Sequence, residues 1–314
     1  MTPWDAEAVD LVHGQDAIQS ILRPPPGSTA VPAYDDGWLT AHGAAEPFLA
    51  YAETDRSVNW STDLEALHQD ASRLHFMDRW TRTALLRAIG SQPPGAVIAD
   101  LGCSTGFLLE DLRRTRPDAH LIGVDLVDAG LRKAHRQVPS ARLLAADACA
   151  LPIADASVDA VVSANLLEHI PDDRRALAEI ARVLRPGGYA AIAVPAGPTT
   201  YDYYDRFLGH ERRYRRGELA AKCTEAGLEP WIDAHLAALL YPAFWLVKQR
   251  NRRRHGQLEG DALRARVAQD IATTQDSRIG HAAWRLEDWL GARGVRFPFG
   301  IRSLVAARRP GGLG

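Results

Sequence analysis

Cysteine is scarce in this chain of 314 residues: Cys103, Cys149 and Cys223 are its only thiols. Three so widely separated are too few for a disulfide framework or a zinc site, so a reducing, cytoplasmic setting is expected. An excess of charge of one sign is also missing. Lys and Arg number 37 against 39 Asp and Glu, a formal net charge of −2. That balance lacks the basic footprint of a nucleic-acid binder. Long hydrophobic runs are absent too. The longest, Leu236 to Val247, is twelve residues with a proline inside, whereas a membrane span needs roughly 17 or more. The first residues, MTPWDAEAVDL, carry acids and no apolar stretch of the kind a secretory signal needs. No internal repeat or low-complexity tract stands out. Hydrophobic residues at 46% and charged residues at 24% belong to an ordinary globular chain.

What is present falls into two rhythms. Residues 1–90 read as an N-terminal helical cap without strands. AEAVDLVHGQDAIQSIL is weakly helical, RPPPGSTAVPAYDDG is a proline- and glycine-broken linker, and residues 61–90 show a long helical pattern that Ser61 or Thr62 starts and Gly90 ends. Residues 91–314 form the second unit. Here short apolar runs alternate with helical stretches: AVIAD (96–100), HLIGVD (120–125), ARLLAAD (141–147), VDAVVSAN (158–165) and YAAIAVP (189–195). DDRRALAEIARVL puts Leu177, Ile180, Ala181 and Leu184 on one helical face, with RPGG as its stop. Buried strands alternating with amphipathic helices predict a parallel sheet with right-handed crossovers. A helix over RRGELAAKCTEAGLE ends at Gly227, LEPWIDA is a weak strand broken by Pro230, residues 235–297 are a helical insertion, and IRSLVAAR (301–308) is a last strand.

In such a sheet, ligands sit beyond the carboxyl ends of the strands. The residues there are DLGCSTG (100–106), Asp125, Asp147, ANLLEHI (164–170) and PAGPTTYDYYD (195–205). All five of these places carry a carboxylate, which is hostile to a polyphosphate and favourable to a neutral or cationic nucleoside. Gly102 and Gly106 permit a tight turn that lets backbone approach a ligand. The helix beyond offers free N–H groups to an anion. Asp125 follows Gly106 by nineteen residues, the place of an acid that grips ribose hydroxyls. A nicotinamide-binding reading is disfavoured by the spacing Gly102, Ser104, Gly106.

These residues resemble a known family. VIADLGCSTGFLLEDL (97–112) is similar to motif I of the class I methyltransferases that use S-adenosylmethionine. VDLVDAGLRKA, ADACALPIADASVDAVVSANLLEHI and EIARVLRPGGYAAIAVP resemble the next three motifs, in order. The resemblance covers roughly residues 95–235. It implies an α/β, Rossmann-like, seven-stranded and mostly parallel sheet with helices on both faces, closed by an antiparallel strand. The implied cofactor is S-adenosyl-L-methionine, leaving as S-adenosyl-L-homocysteine. Asp100 and Gly102 match the positions holding its methionine end, with Gly106 in the same loop. Asp125 with Leu126 matches the ribose site, Asp147 with Ala148 the adenine site, and Asn165 a position facing cofactor and substrate. Ser104 stands where the family's middle glycine is usual, and its hydroxyl suits the methionine carboxylate.

Methyl transfer needs mainly a nucleophile held in line with the methyl group, plus a base if the nucleophile carries a proton. No metal is expected. His210, Tyr203, Tyr204 and His169 are the candidate acid/base residues. Tyr201, Asp202 and Asp205 crowd the same stretch, so a lid held by salt bridges is the alternative. Glu168 and His169 in LEHI also fit a structural or helix-capping role, and Arg212, Arg213 and Tyr214 a structural one. His75, Phe76, Met77 and Trp80, with Tyr51 and Trp60, either close over the site or pack a core. The apolar-to-basic stretch 236–255 fits a lid with a solvated basic end. It also fits a seat for a hydrophobic or phosphorylated substrate, or a membrane-surface helix.

The expected function is methyl transfer to an oxygen, nitrogen or carbon of a small molecule. The alanine- and arginine-rich composition goes with a GC-rich bacterial genome and a biosynthetic role. Rival readings are a non-methylating S-adenosylmethionine enzyme, such as a cyclase or an alkyl transferase releasing 5'-methylthioadenosine, and a non-catalytic binding module. Expected partners are a small-molecule acceptor and, at most, a second copy of the chain.

Overall fold

The computed structural model describes residues 17–40, 42–53, 75–255, 258–274 and 277–311. Its core is one eight-stranded sheet in the order β3-β6-β5-β4-β7-β8-β10-β9. The strands are β3 Leu49–Ala50, β4 Val97–Leu101, β5 His120–Asp125, β6 Arg142–Ala145, β7 Val158–Ala164, β8 Leu184–Pro195, β9 Glu229–Leu236 and β10 Arg302–Arg308. All neighbours from β3 to β8 pair in parallel, and β10 runs antiparallel to both β8 and β9. All seven strands read from the sequence are present. β4 is buried along its whole length, as a strand covered on both faces must be. Pro230 sits in the edge strand β9, beside a register shift that leaves Trp231 out of the pairing with β10, which is where a sheet tolerates proline.

The eighth strand corrects the sequence reading. Residues 1–90 were expected to hold no strand, yet β1 Trp38–Leu39 and β2 Ala45–Glu46 form a small antiparallel pair, and β3 extends the main sheet. Two-residue strands have too few positions to show alternation, so neither period registers. Of the long pattern over 61–90, the structure describes α1, Phe76–Ala88. The rest of that pattern, most of the first weakly helical segment, and Trp60 lie outside the described residues. Helix α4 (Asp173–Val183) stops just ahead of RPGG, as expected, but Leu184, expected on the helical face, already opens β8 together with those four residues.

The remaining helices are α2 Phe107–Thr115, α3 Asp128–Gln137, α5 Tyr203–Phe207 and α6 Glu218–Glu225, then α7 Tyr241–His255, α8 Gly260–Thr274 and α9 Arg278–Gly291 between β9 and β10. Two apolar clusters lie on opposite faces of the sheet. One joins β4, β7 and β8 to α4 and α6 through Leu177, Ile180 and Leu219; the other joins them to α1, α2 and α3 through Leu85, Leu109 and Leu131. α9 leans on α1, with Trp284 stacked on Trp80 at 6.0 Å and Arg87 paired with Asp288 at 2.5 Å. Strand order reverses at β4, because the chain places β5 and β6 on one side and then β7 on the other. That switch point fixes where a ligand can enter.

Candidate functional site

A cavity of about 920 Å³ opens at the carboxyl ends of β4, β5, β6 and β7. It is lined by Asp100, Gly102, Ser104, Asp125, Leu126, Asp147, Ala148, Asn165, His169, Tyr203, Tyr204 and His210. One residue of the sequence-predicted set, Gly106, is not part of that lining.

The glycine loop explains the difference. Gly102 has φ +76°, and a Cβ there would come within 3.0 Å of Leu166 Cβ. Gly106 has φ +85° at the start of α2, and its added Cβ would meet Ala134 Cα at 3.0 Å. Its smallness therefore serves the approach of α2 to α3 rather than contact with a ligand. Ser104 adopts φ +44°, the left-handed conformation that a glycine enters without cost.

Asp125 ties this loop together. Its Oδ2 accepts from the Ser104 N–H at 2.7 Å, and its Oδ1 accepts from the N–H groups of Leu126 at 2.7 Å and Val127 at 3.0 Å. Asp100 is only 1% exposed, and its Oδ2 has no hydrogen-bond partner among the described residues. Burial first, and the like charge of Asp125 second, push its carboxyl up to about 8, with Arg82 opposing. Asp147 is exposed and accepts from the Cys149 N–H at 2.8 Å. Three acids thus rim one cavity after three neighbouring strands. Asn165, at φ +54°, accepts a hydrogen bond from Arg302, whose other Nη reaches Asp78 at 2.7 Å.

The opposite wall comes from the segment after β8. Asp202 caps α5 and forms a capping box with Asp205. Asp205 Oδ1 meets His210 Nδ1 at 2.9 Å and the Arg213 Nε–H at 2.7 Å, while Lys248 donates to Asp202 at 2.8 Å. All five side chains are buried. The histidine and two cations around Asp205 hold its carboxyl well below the usual range despite burial. Lys248 is pulled below the usual ammonium range by burial and by Arg213.

The basic stretch therefore does not end wholly in solvent. Its first residue, Lys248, is inside, Arg252 reaches the Thr199 carbonyl at 3.0 Å, and only Arg250 and Arg252 to Arg254 stay exposed. Trp245, Leu246 and Val247 on the same helix are exposed, while Phe244 and Val247 border the cavity. Among the described residues no helix is long and apolar enough to cross a membrane.

The tyrosines separate by environment. Tyr203 is buried with its hydroxyl hydrogen-bonded to Asp270, and burial pushes that phenol up to about 12. Burial also raises the Tyr204 phenol, whose ring lies 5.2 Å from the Lys248 ammonium. Tyr201 donates to the His210 carbonyl at 2.7 Å and is not part of the lining. Arg212 and Tyr214 hold Asp173 at 3.3 Å and 2.7 Å. LEHI forms a short turn, Leu167–His169, and does not cap a helix; Asp172 caps α4 instead. His75, Phe76 and Met77 border the cavity, whereas Trp80 and Tyr51 do not.

Arg302, Asp78, Lys248 and Asp270 were not singled out in the sequence. Arg302 had a usable signal. The closing strand runs antiparallel, so its first residue lies opposite Pro195, at the carboxyl end of β8. The other three sit on helices whose position nothing local reveals.

Residues 99–192 match the family model described as a methyltransferase domain. The chain is 31% identical over 211 residues to a demethylmenaquinone methyltransferase of Beutenbergia cavernae, covering 64% of this chain and 84% of that protein. It is 38% identical over 140 residues to a trans-aconitate 2-methyltransferase of Deinococcus radiodurans, covering 44% and 50%. The matched stretches span about half the length of several other curated relatives, all methyltransferases. Among solved structures, geranyl diphosphate C-methyltransferase from Streptomyces coelicolor A3(2) superposes with a TM-score of 0.51 at 15% identity, over 82% of this chain and 90% of that one. That last likeness is one of fold.

Proposed function

This chain belongs to the class I S-adenosylmethionine-dependent methyltransferases, and from that premise we propose that it transfers a methyl group to an oxygen, nitrogen or carbon of a small molecule. The observation that carries the reading is the ring of Asp100, Asp125 and Asp147 around one cavity at the switch point. Three carboxylates stand there against the guanidinium groups of Arg82 and Arg175, with no lysine among the described residues on that side, a balance that suits a nucleoside carrying a positive charge and no phosphate. When bound, S-adenosylmethionine supplies an electrophilic methyl on a sulfonium.

The residues divide the work. Asp100, buried and with one oxygen unmatched, faces the cationic methionine end together with the Gly102 backbone. The N–H groups of the loop and of α2 receive its carboxylate, with the Ser104 hydroxyl beside them. Asp125, already fixed by three N–H groups, offers its remaining lone pairs to the ribose hydroxyls, next to Leu126. Asp147 and Ala148 meet the adenine. Asn165, held by Arg302, stands between cofactor and acceptor. His169 and His210 face the acceptor side, where Tyr204 supplies an aromatic wall. Tyr203, bonded to Asp270, is a strut and not an acid or base. Residues of α1, α7 and α8 line the acceptor side, and an acceptor small enough to sit within this cavity fits it. A cytoplasmic role in bacterial biosynthesis fits that size.

Calorimetry with S-adenosylhomocysteine tests the placement. Asp125→Ala removes two hydrogen bonds to a charged acceptor, about 1.5–3 kcal/mol each, and an affinity loss of well over tenfold is expected. Unchanged affinity would place the cofactor elsewhere. Release of 5'-methylthioadenosine instead of S-adenosylhomocysteine during turnover would overturn methyl transfer itself.

A further inference from the structure

The acceptor wall contains a group that the cofactor reading does not use. Glu168 is 0% exposed, and neither of its carboxylate oxygens has a hydrogen-bond partner among the described residues. An isolated buried carboxylate is costly, and such groups are ordinarily paired or bound to a cation. Burial aside, the Glu168 carboxyl feels His210 first and its own backbone N–H next, while the guanidinium groups of Arg302 and Arg213 act on it only at a distance. Arg213 is committed to Asp205, Thr200 and the Ala196 carbonyl, and Arg302 to Asn165 and Asp78. Two imidazoles stand beside Glu168. One ligand atom from each of Glu168, His169 and His210 lies within 4.8 Å of the other two.

We propose that Glu168, His169 and His210 form a divalent transition-metal site on the acceptor side of the cavity. Three features support it besides the orphaned carboxylate. First, His210 is oriented as metal-bound histidines are. Its Nδ1 is held at 2.9 Å by Asp205, itself fixed by Arg213, so Nε2 presents its lone pair. Second, the two rings are correctly spaced. A metal about 2.0–2.1 Å from each nitrogen at a 90–110° angle puts the ring centres about 4.5–5 Å apart, and they are 4.7 Å apart. Third, ligand atoms within 4.8 Å of one another leave a central cation about 3 Å from each, so side-chain shifts of about 1 Å complete the bonds.

Two imidazoles and one carboxylate are a nitrogen–oxygen set suited to zinc, manganese or ferrous iron, with coordination positions left over. Those positions open into the cavity that all three residues line. They fit an acceptor with adjacent oxygens, such as a hydroxyl beside a carbonyl, whose bound hydroxyl gives its proton to water more readily. Only this acceptor assignment rests on the methyltransferase reading; metal binding itself does not.

Cobalt(II) serves as the probe. The full-length protein, stripped with chelator, is titrated with cobalt chloride and followed by visible absorption, with zinc chloride in competition. One cobalt per chain is expected, with ligand-field bands that zinc abolishes. Glu168→Gln and His210→Ala should each weaken cobalt binding at least tenfold. Asp205→Asn, which touches no metal, should weaken it about 10–100-fold through His210. Near-ultraviolet circular dichroism checks that each variant remains folded. Absence of a one-to-one cobalt spectrum, or a titration indifferent to Glu168→Gln in folded protein, overturns the site. S-adenosylhomocysteine calorimetry on the same samples keeps the two readings apart. Homocysteine-nucleoside binding without cobalt binding rejects the metal alone, and cobalt binding without it supports the metal and rejects the cofactor placement.

Discussion

The two walls of the cavity are built differently. The wall around Asp100, Asp125 and Asp147 comes from one unbroken stretch, and its polar groups are fixed mainly by backbone N–H groups of the same loops. The wall around His210 is assembled from distant parts of the chain. Asp202 and Asp205 meet Lys248 across more than forty residues, Tyr203 meets Asp270 across 67, and Asn165 meets Arg302 across 137. The first wall uses sheet topology, the second uses buried side-chain charge. A cofactor shared by many enzymes can be met by a fixed backbone cradle. An acceptor peculiar to one enzyme is met by side chains that helices deliver from elsewhere.

The largest effect should come from breaking the second wall at its centre. Asp205→Ala leaves Arg213 and Lys248 buried without their shared carboxylate, a loss of about 3–5 kcal/mol. Urea unfolding measures it. A loss below 1 kcal/mol would show that the charge network is not what holds this wall.

The first wall is tested through Asp100. Its carboxyl is pushed up to about 8, above the ordinary carboxylate range, so between about pH 4 and 8 the folded chain binds a proton that the unfolded chain lacks. Stability of the cofactor-free protein should therefore fall as pH rises across that window. Asp100→Asn should flatten this slope. Affinity for the cationic cofactor should rise over the same window, because only the deprotonated carboxylate attracts it. Thermal unfolding with and without S-adenosylmethionine across the window reads both trends, and an identical slope in the variant would remove Asp100 as their source.

Tyr203→Phe should cost about 1–2 kcal/mol for the lost bond to Asp270 and the longer bonds from Asn251 and Arg266, with turnover against pH unchanged. A shifted pH profile would return Tyr203 to acid/base chemistry. The smallest effect is expected at the loop. Ser104→Gly relieves a left-handed serine worth roughly 1 kcal/mol, offset in part by the freer unfolded chain. A net gain of under 1 kcal/mol is expected, with S-adenosylhomocysteine affinity unchanged within about threefold. A large affinity loss would mean that the hydroxyl itself holds the cofactor.

The legibility of the two walls differs for the same reason that their construction does. Asp100, Gly102, Asp125 and Asp147 sit at strand ends that period and spacing locate, so their convergence was readable. Gly106 was read as a ligand contact, but the space its missing Cβ leaves is filled by Ala134 of another helix, which no local pattern reports. β3 was missed because two residues carry no period. Of the structural or helix-capping role open to LEHI, capping falls to Asp172 instead, and a solvated basic end for 236–255 does not hold at Lys248, because its partners lie on a different element.

By itself, the sequence determined the parallel sheet, the switch point and the acids at the strand ends, because these depend on short-range pattern and on strand order that chirality restricts. Tertiary structure decided which titratable side chains face one another across the cavity. His210 meets Glu168 and His169 across the cavity wall with its ring held by Asp205 at the start of α5, and Lys248 of a later helix lies beside that aspartate. Charge compensation in a buried wall depends on distances in space, and distances in space between remote residues are set by packing.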